Sequence, residues 1–263
     1  MRIWFQLLSS EEKMSRFIGT VQQLVDRAAD PGTRIEVRGT TQGVIGDQYR
    51  LFYQYDQREV LDNGLNIRRN GGYDAFAIAN SLDPGIVELR EMLDIPVVSF
   101  TETNALLACT MGERFGIVVA NRKIVPRFRE LVHGYGLRDR LASVEPVHFD
   151  DVRAQEGMFH DEAIAATAEK HIVEAVRRAA DKGAEVVFAA GPLGAVMAQR
   201  GIFSVDNVAL LDPYTVLAKT AEMRVRLHKL SGVCVSRHCL YEAPSRELVR
   251  KVGEAFGVDA LRE

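Results

Sequence analysis

Residues 74–91 read DAFAIANSLDPGIVELRE, and this stretch decides the class of fold. It begins with an apolar run of the length of a buried β-strand, turns polar at Asn80 and Ser81, and becomes helical in pattern after Gly85. Residues 186–192 read VVFAAGP and repeat the order of buried strand and sharp turn. Because ligands gather at the carboxyl ends of such strands, the two stretches predict similar α/β halves that face one cleft.

Apolar runs alternate with amphipathic segments along the rest of the chain, which is typical of βαβ units around parallel sheets. Strands are predicted at residues 2–8, 34–38, 75–79, 97–100, 115–120, 142–146, 186–190 and 208–211. Helices are predicted at residues 10–27, 86–93, 103–111, 126–135, 161–182, 194–200 and 214–230. Residues 150–160 have little periodicity and predict a loop. The predicted fold class is α/β, with two pseudo-symmetric Rossmann-like lobes, parallel four-stranded sheets, and the active-site cleft between them.

Composition narrows the classes of function. The chain has 263 residues, 47% of them hydrophobic, and a formal net charge of −3, which disfavours nucleic acid as a partner. No apolar run reaches the roughly 20 residues that a membrane helix needs, and residues 1–8 indicate a first strand rather than a signal peptide. Three cysteines are an odd number that does not suggest a disulfide scaffold, so we expect a reducing, cytoplasmic compartment.

Several short motifs follow one another in a characteristic order. They are Asp83-Pro84-Gly85 with Arg90 and Glu91, Ile95-Pro96-Val97-Val98 with Thr101-Glu102, residues 114–118, Leu211-Asp212 with Lys219 and Glu222, and Ser236-Arg237 with Tyr241 and Pro244. Together they resemble the aspartate/glutamate/hydantoin racemase superfamily, and its hydantoin and allantoin racemases in particular. The resemblance implies a discontinuous first lobe, residues 1–110 plus 215–263, and a second lobe at residues 111–214.

The chain departs from the family at both catalytic cysteines. In these racemases two thiols face each other across the substrate carbon, and one removes a proton while the other returns one. The resemblance aligns the first cysteine with Asn80 and the second with Gly191, or with Ala190 if the register slips by one residue. Since neither asparagine nor glycine can relay a proton, two-thiol racemisation is not expected. Arylmalonate decarboxylases resemble the family with one thiol replaced by glycine, but they keep the other.

The cysteines that remain do not restore such a site. Cys109 falls in an apolar helical stretch and is expected to be a packing residue. Cys234 and Cys239, with His238 between them, lack a second ligand pair at the spacing of a structural zinc site. We therefore predict no metal and no cofactor.

Other strand-end residues are candidates for the site. Glu102 is the candidate acid or base, because burial can raise the pKa of a carboxyl toward neutrality, although it can equally anchor a helix. Thr103 is its weaker companion. Asn80, Ser81 and Ser10 are candidates for hydrogen bonds to a ligand, with turn and helix capping as the alternative.

The second half supplies further candidates. Gly191 and Pro192 shape a tight turn, and Gly194 can open the next helix and present backbone N–H groups to an oxyanion. Arg122 can attract an anionic substrate or lie in a solvated loop. His160 can belong to a lid, with a solvated loop position as the alternative.

Three hypotheses about function remain at this point. The first is an enzyme that acts on a small carboxylate or a cyclic amide (hydantoin-like) at the interlobe cleft by non-thiol chemistry, namely decarboxylation, isomerisation, or hydrolysis or lyase chemistry. The second is a catalytically inactive homologue that binds or senses a small molecule. The third is a racemase that uses bases other than cysteine. In each case the partner is a small molecule, and we also expect a homo-oligomer.

Overall fold

The computed structural model describes residues 1–149 and 153–262. Its first sheet contains four parallel strands in the order β2-β1-β3-β4. The strands are β1 (Arg2–Ser10), β2 (Arg34–Thr40), β3 (Ala75–Ile78) and β4 (Val97–Ser99). The helices of this part of the chain are α1 (Ser15–Ala28), α2 (Arg50–Asn70), α3 (Ile86–Met92) and α4 (Phe100–Met111).

The second sheet has the order β6-β5-β7-β9-β8. Its strands are β5 (Phe115–Val119), β6 (Leu141–Pro146), β7 (Val186–Ala189), β8 (Ser204–Val205) and β9 (Val208–Leu211). The remaining helices are α5 (Val125–Gly134), α6 (Glu162–Asp181), α7 (Pro192–Gln199), α8 (Pro213–Ser231) and α9 (Arg246–Phe256). The first four strands of this sheet follow the same order as the first sheet, so the predicted α/β fold with two similar parallel sheets is confirmed.

Central strands of both sheets are buried on both faces. All four residues of β3 have no exposed surface, and β5 and β7 are continuous apolar runs as well. Such runs are expected in parallel sheets because helices cover both faces. Helix α6 packs closely against β5 at Gly116, where a Cβ would stand 2.9 Å from the Cβ of Ala179.

Some predicted boundaries were wrong. The second sheet has a fifth strand, β8, which pairs antiparallel with β9 through a tight hairpin at Asp206 and Asn207, both with positive φ. Residues 153–159 form a 3₁₀ helix where we predicted a loop, while the first part of that loop lies outside the described residues. Helices α2 and α9 were not predicted at all. Exposed apolar side chains such as Leu51 and Phe52 blur the pattern of α2.

Helix α8 follows the second sheet but contacts α1, α4 and β3. These contacts fit the proposed return of the chain to the first lobe, although the lobe boundaries at residues 110 and 215 stay a prediction. No helix among the described residues has both the length and the apolar character needed to cross a membrane.

Candidate active site

A cavity of about 40 Å³ lies where the carboxyl ends of the two sheets meet. Room for one water molecule needs roughly 10–15 Å³ on this measure, so the cavity can hold about three. Residues at the ends of β1, β3, β5 and β7 form much of its wall. The lining residues are Leu7, Ser9, Phe17, Asp47, Ala79, Asn80, Ser81, Leu82, Ala120, Ile124, Phe128, Gln155, Ala190, Gly191, Pro192 and Tyr214.

Asn80 and Gly191 reach this cavity from different sheets. The Asn80 side-chain oxygen accepts a hydrogen bond from the Leu82 amide at 3.0 Å, which is an Asx turn at the end of β3. Gly191 has a φ of +56°, and a Cβ there would meet no atom within 4 Å. Glycine therefore fits the backbone conformation of this turn, and the space beside it stays open.

Four of the predicted site residues come together here, namely Asn80, Ser81, Gly191 and Pro192. Ser10 does not line the cavity. Its hydroxyl donates to the Thr41 carbonyl oxygen at 3.1 Å, whereas the preceding Ser9 lines the wall. Neighbouring side chains in a strand point to opposite faces, and β1 runs through both residues. The predicted helix start at Ser10 was wrong, since α1 begins at Ser15.

The structure does not bring Glu102 to the cavity. Glu102 lies in the first turn of α4, which begins at Phe100 rather than at the predicted residue 103. Both of its carboxylate oxygens accept from the Arg90 guanidinium, one of them at 2.8 Å. This bidentate ion pair between Arg90 and Glu102 anchors α4 to α3. Thr103 lies with Glu102 and Arg90 along a separate surface groove.

Three further candidate residues of the second half lie outside the cavity lining. Arg122 and His160 are both exposed and lie outside the cavity lining. Helix α7 begins at Pro192, two residues before the predicted start, and the Gly194 amide donates to the Gly191 carbonyl oxygen at 3.0 Å. Gly194 instead allows close packing, because a Cβ there would stand 2.5 Å from the Ala189 oxygen.

No sulfur atom belongs to the described cavity lining. Cys109 is half-buried in α4, Cys234 lines the surface groove with Arg90, and Cys239 is exposed. Burial raises the pKa of the Cys234 thiol. Within residues 1–149 and 153–262 no three His, Cys, Asp or Glu side chains converge as a metal site would require.

Three polar residues that line the cavity, Asp47, Gln155 and Tyr214, were not predicted from the sequence. Asp47 is buried and lies between β2 and α2, in a segment without a clear pattern. Tyr214 is the second residue of α8 and has no exposed surface. The rule that ligands meet strand ends could have indicated Tyr214, because it follows the end of β9 closely.

The turn that carries Asn80 is fixed by the buried carboxyl of Asp83. That carboxyl accepts from the Thr101 and Glu102 amides, each at 2.9 Å, and from the Tyr135 hydroxyl at 2.7 Å. It thereby caps α4 and connects the first sheet to the residue that follows α5. Burial raises the pKa of Asp83 to about 6, and these donors oppose the rise.

Residues 41–49, which we name the β2–α2 segment, connect the cavity to α5. The Arg127 guanidinium donates to the Asp47 carbonyl oxygen at 2.7 Å and lies 4.1 Å from the ring centroid of Tyr53. Just beyond the segment, Arg50 pairs with Glu130 at 2.7 Å. Contacts between the two halves therefore hold this segment against the cavity.

Two Rossmann-like sheets with a small cavity at their carboxyl ends form the arrangement in which α/β proteins commonly bind small ligands. Comparison with known proteins gives the family. The chain belongs to the Asp/Glu/hydantoin racemase family, because the sequence model described as Asp/Glu/Hydantoin racemase matches residues 15–221.

Individual relatives agree with this assignment. A hydantoin racemase from Paenarthrobacter aurescens is 28% identical over 190 residues, which are 72% of this chain and 75% of that protein. A hydantoin racemase from Pseudomonas sp. (strain NS671) is 37% identical over 73 residues, which are 28% of this chain and 29% of that protein. The allantoin racemase from Klebsiella pneumoniae has the same fold, with a TM-score of 0.76, 24% identity, and coverage of 93% of this chain and 94% of that one.

Proposed function

We propose that this chain is a racemase-superfamily enzyme that acts on a small molecule in the interlobe cavity without thiol chemistry. Of the two ligand classes that the sequence favours, a small carboxylate and a cyclic amide, we propose the cyclic amide. The observation that carries the proposal is the composition of the described cavity lining, which holds a carboxyl and neutral polar groups but no thiol and no lysine, arginine or histidine.

Charge is the reason to prefer a neutral ligand. A carboxylate that leaves water for this cavity would need a cation or several hydrogen-bond donors, and the Asp47 carboxylate would repel it. The first turn of α7 offers little help, because the Gly194 and Ala195 amides both donate to Gly191. A neutral ring amide instead matches the hydroxyl and amide side chains of Ser9, Ser81 and Asn80.

The lining suits chemistry on one face of the ligand. We propose that the Asp47 carboxylate removes the proton from the carbon beside a ring carbonyl. The electron pair of that C–H bond then forms the enolate, its negative charge rests on the carbonyl oxygen, and Asp47 becomes a neutral carboxyl. The Asp47 carboxyl then exchanges its proton with water. Return of a solvent-derived proton to the same face of the carbon completes hydrogen exchange without inversion. The names of the hydantoin and allantoin racemases above support a ring of this kind.

The test is deuterium exchange at C5 of one enantiomer of 5-methylhydantoin in D₂O, followed by NMR, with optical rotation measured on the same sample. We expect the C5 proton signal to decay while the rotation persists, and we expect Asp47→Asn to slow the exchange at least tenfold. Decay together with loss of rotation would instead support a racemase with two non-cysteine bases. Unchanged exchange in Asp47→Asn would remove Asp47 from the mechanism.

A binding protein without turnover is the second candidate. It is favoured by the way Asn80 uses its side-chain oxygen in the turn, so that it and Gly191 do not form a facing acid–base pair. Thermal shifts with hydantoin, 5-methylhydantoin and a set of dicarboxylates separate these cases. Stabilisation by a cyclic amide without exchange would support the binding protein, and stabilisation by dicarboxylates alone would contradict the neutral ligand. The homo-oligomeric state stays a prediction, to be measured by light scattering.

A further inference from the structure

Tyr214 is held in one position by both its backbone and its ring. The Asp212 side chain caps α8 by accepting from the Tyr214 amide at 3.1 Å and from the Thr215 amide at 3.2 Å. The Tyr214 ring lies in a cluster of other rings, with centroid distances of 5.3 to 6.4 Å to Phe100, Phe17 and Phe5. A side chain packed in this way has little freedom to move its hydroxyl.

That hydroxyl is buried but makes no hydrogen bond to any part of the chain that the structure describes. Buried hydroxyl groups of native proteins nearly always have a partner, because an unsatisfied one loses its hydration without compensation. Tyr214 lines the cavity, together with its neighbour Phe17. Tyr214 therefore belongs to the wall of the cavity and carries a buried hydroxyl that has no hydrogen-bond partner among the described residues.

We propose that the Tyr214 hydroxyl donates a hydrogen bond to a carbonyl oxygen of the bound ligand. This inference rests on the proposed function, since a cyclic amide supplies the carbonyl. A donor held at that oxygen also stabilises the charge that develops there when the neighbouring carbon loses its proton. Tyr214 would then act on the oxygen while Asp47 acts on the carbon.

The ionisation state of the phenol supports this role. Burial, reinforced by the negative charge of Asp212, raises the pKa of Tyr214 well above its ordinary value. The hydroxyl therefore keeps its proton near neutral pH, and it remains a donor there. A neutral donor also suits a neutral ligand, because it adds no charge to the cavity.

The experiment compares Tyr214→Phe with Tyr73→Phe as a matched control. Tyr73 donates to Glu36 at 2.6 Å beside the first sheet and does not line the cavity. Without ligand, we expect Tyr214→Phe to melt at the wild-type temperature or above it, because no hydrogen bond is lost, whereas Tyr73→Phe melts lower. With 5-methylhydantoin, we expect Tyr214→Phe to bind about 3- to 10-fold more weakly and to exchange the C5 proton at least tenfold more slowly. Tyr73→Phe should leave both quantities unchanged.

Each outcome of this experiment decides a separate question. If Tyr214→Phe lowers the melting temperature of the unliganded protein as Tyr73→Phe does, its hydroxyl already has a structural partner and the inference is overturned. If both variants bind and exchange 5-methylhydantoin like the wild type, the inference is overturned while the proposed function stands. If the wild-type protein binds no cyclic amide, the proposed function is overturned and the inference fails with it.

Discussion

Replacing Asp83 by asparagine tests whether burial or hydrogen bonding controls the charge of the turn beside the cavity. Asp83 has only 4% of its surface exposed and accepts from two backbone amides and the Tyr135 hydroxyl. Burial disfavours the charged carboxylate, and the three donors favour it. Asparagine has nearly the same shape but cannot titrate. The difference in stability between the two proteins therefore isolates the proton on Asp83.

The direction of the effect follows from the raised pKa of Asp83, about 6 in the folded protein against an ordinary value of 3.8. The folded state holds the proton more tightly than the unfolded state, so this stabilisation is complete below the unfolded pKa and is lost as the pH rises through the folded pKa. A difference of this size corresponds to about 3 kcal/mol between the two limits. We therefore expect the free energy of unfolding of the wild type, relative to Asp83→Asn, to fall by about 3 kcal/mol between pH 3.5 and pH 7.

Urea denaturation at a series of pH values measures this difference, with both proteins in the same buffers. Asp206→Asn is a suitable control, because the exposed ion pair with Arg177 lowers the pKa of Asp206 and reverses the sign of its pH dependence. A wild-type protein that becomes more stable relative to Asp83→Asn as the pH rises would refute the reasoning. The donors from Thr101, Glu102 and Tyr135 would then outweigh burial.

Two further substitutions test the placement of residues around the cavity. Glu102→Gln should reduce the free energy of unfolding by about 1.5–3 kcal/mol, because the ion pair with Arg90 loses its negative charge. It should leave the exchange of the C5 proton unchanged. A loss of exchange larger than the loss of folded protein would show that Glu102 belongs to the site. Gly191→Ala should lower the free energy of unfolding by about 1–3 kcal/mol through backbone strain alone. Gly194→Ala should lower it further, because the new Cβ would stand 2.5 Å from the Ala189 carbonyl oxygen. Equal urea midpoints for these two variants would contradict the glycine geometry.

Much of the fold could be predicted because buried parallel strands have sequences that are continuous apolar runs. The predicted strands at residues 75–79 and 186–190 match β3 and β7 within one residue, and both end at the cavity. Their carboxyl ends are brought together by the topology itself, so Asn80 and Gly191 could be assigned to one place before any side chain was seen.

The parts that were missed depend on tertiary contacts. Glu102 was expected at the cleft because the start of α4 was predicted three residues too late. The sequence does not reveal that the side chain of Asp83, which precedes α4 in the chain, caps this helix. The β2–α2 segment carries Asp47 to the cavity without any periodic pattern, and its position depends on Arg127 of α5. The unsatisfied hydroxyl of Tyr214 is likewise a property of the packed structure. The sequence around a tyrosine does not show whether its hydroxyl will find a hydrogen-bond partner in the folded protein.

The size of the cavity has a consequence for the rate at which a ligand arrives. A space for about three water molecules leaves little room around a five-membered ring with two carbonyl groups, so we expect the walls to move when such a ring enters. The β2–α2 segment is held to α5 by the hydrogen bond from Arg127 to the Asp47 carbonyl oxygen, and we predict that breaking this contact admits the ring. Association would then saturate with increasing ligand concentration at the opening rate, and Arg127→Ala would raise that limiting rate.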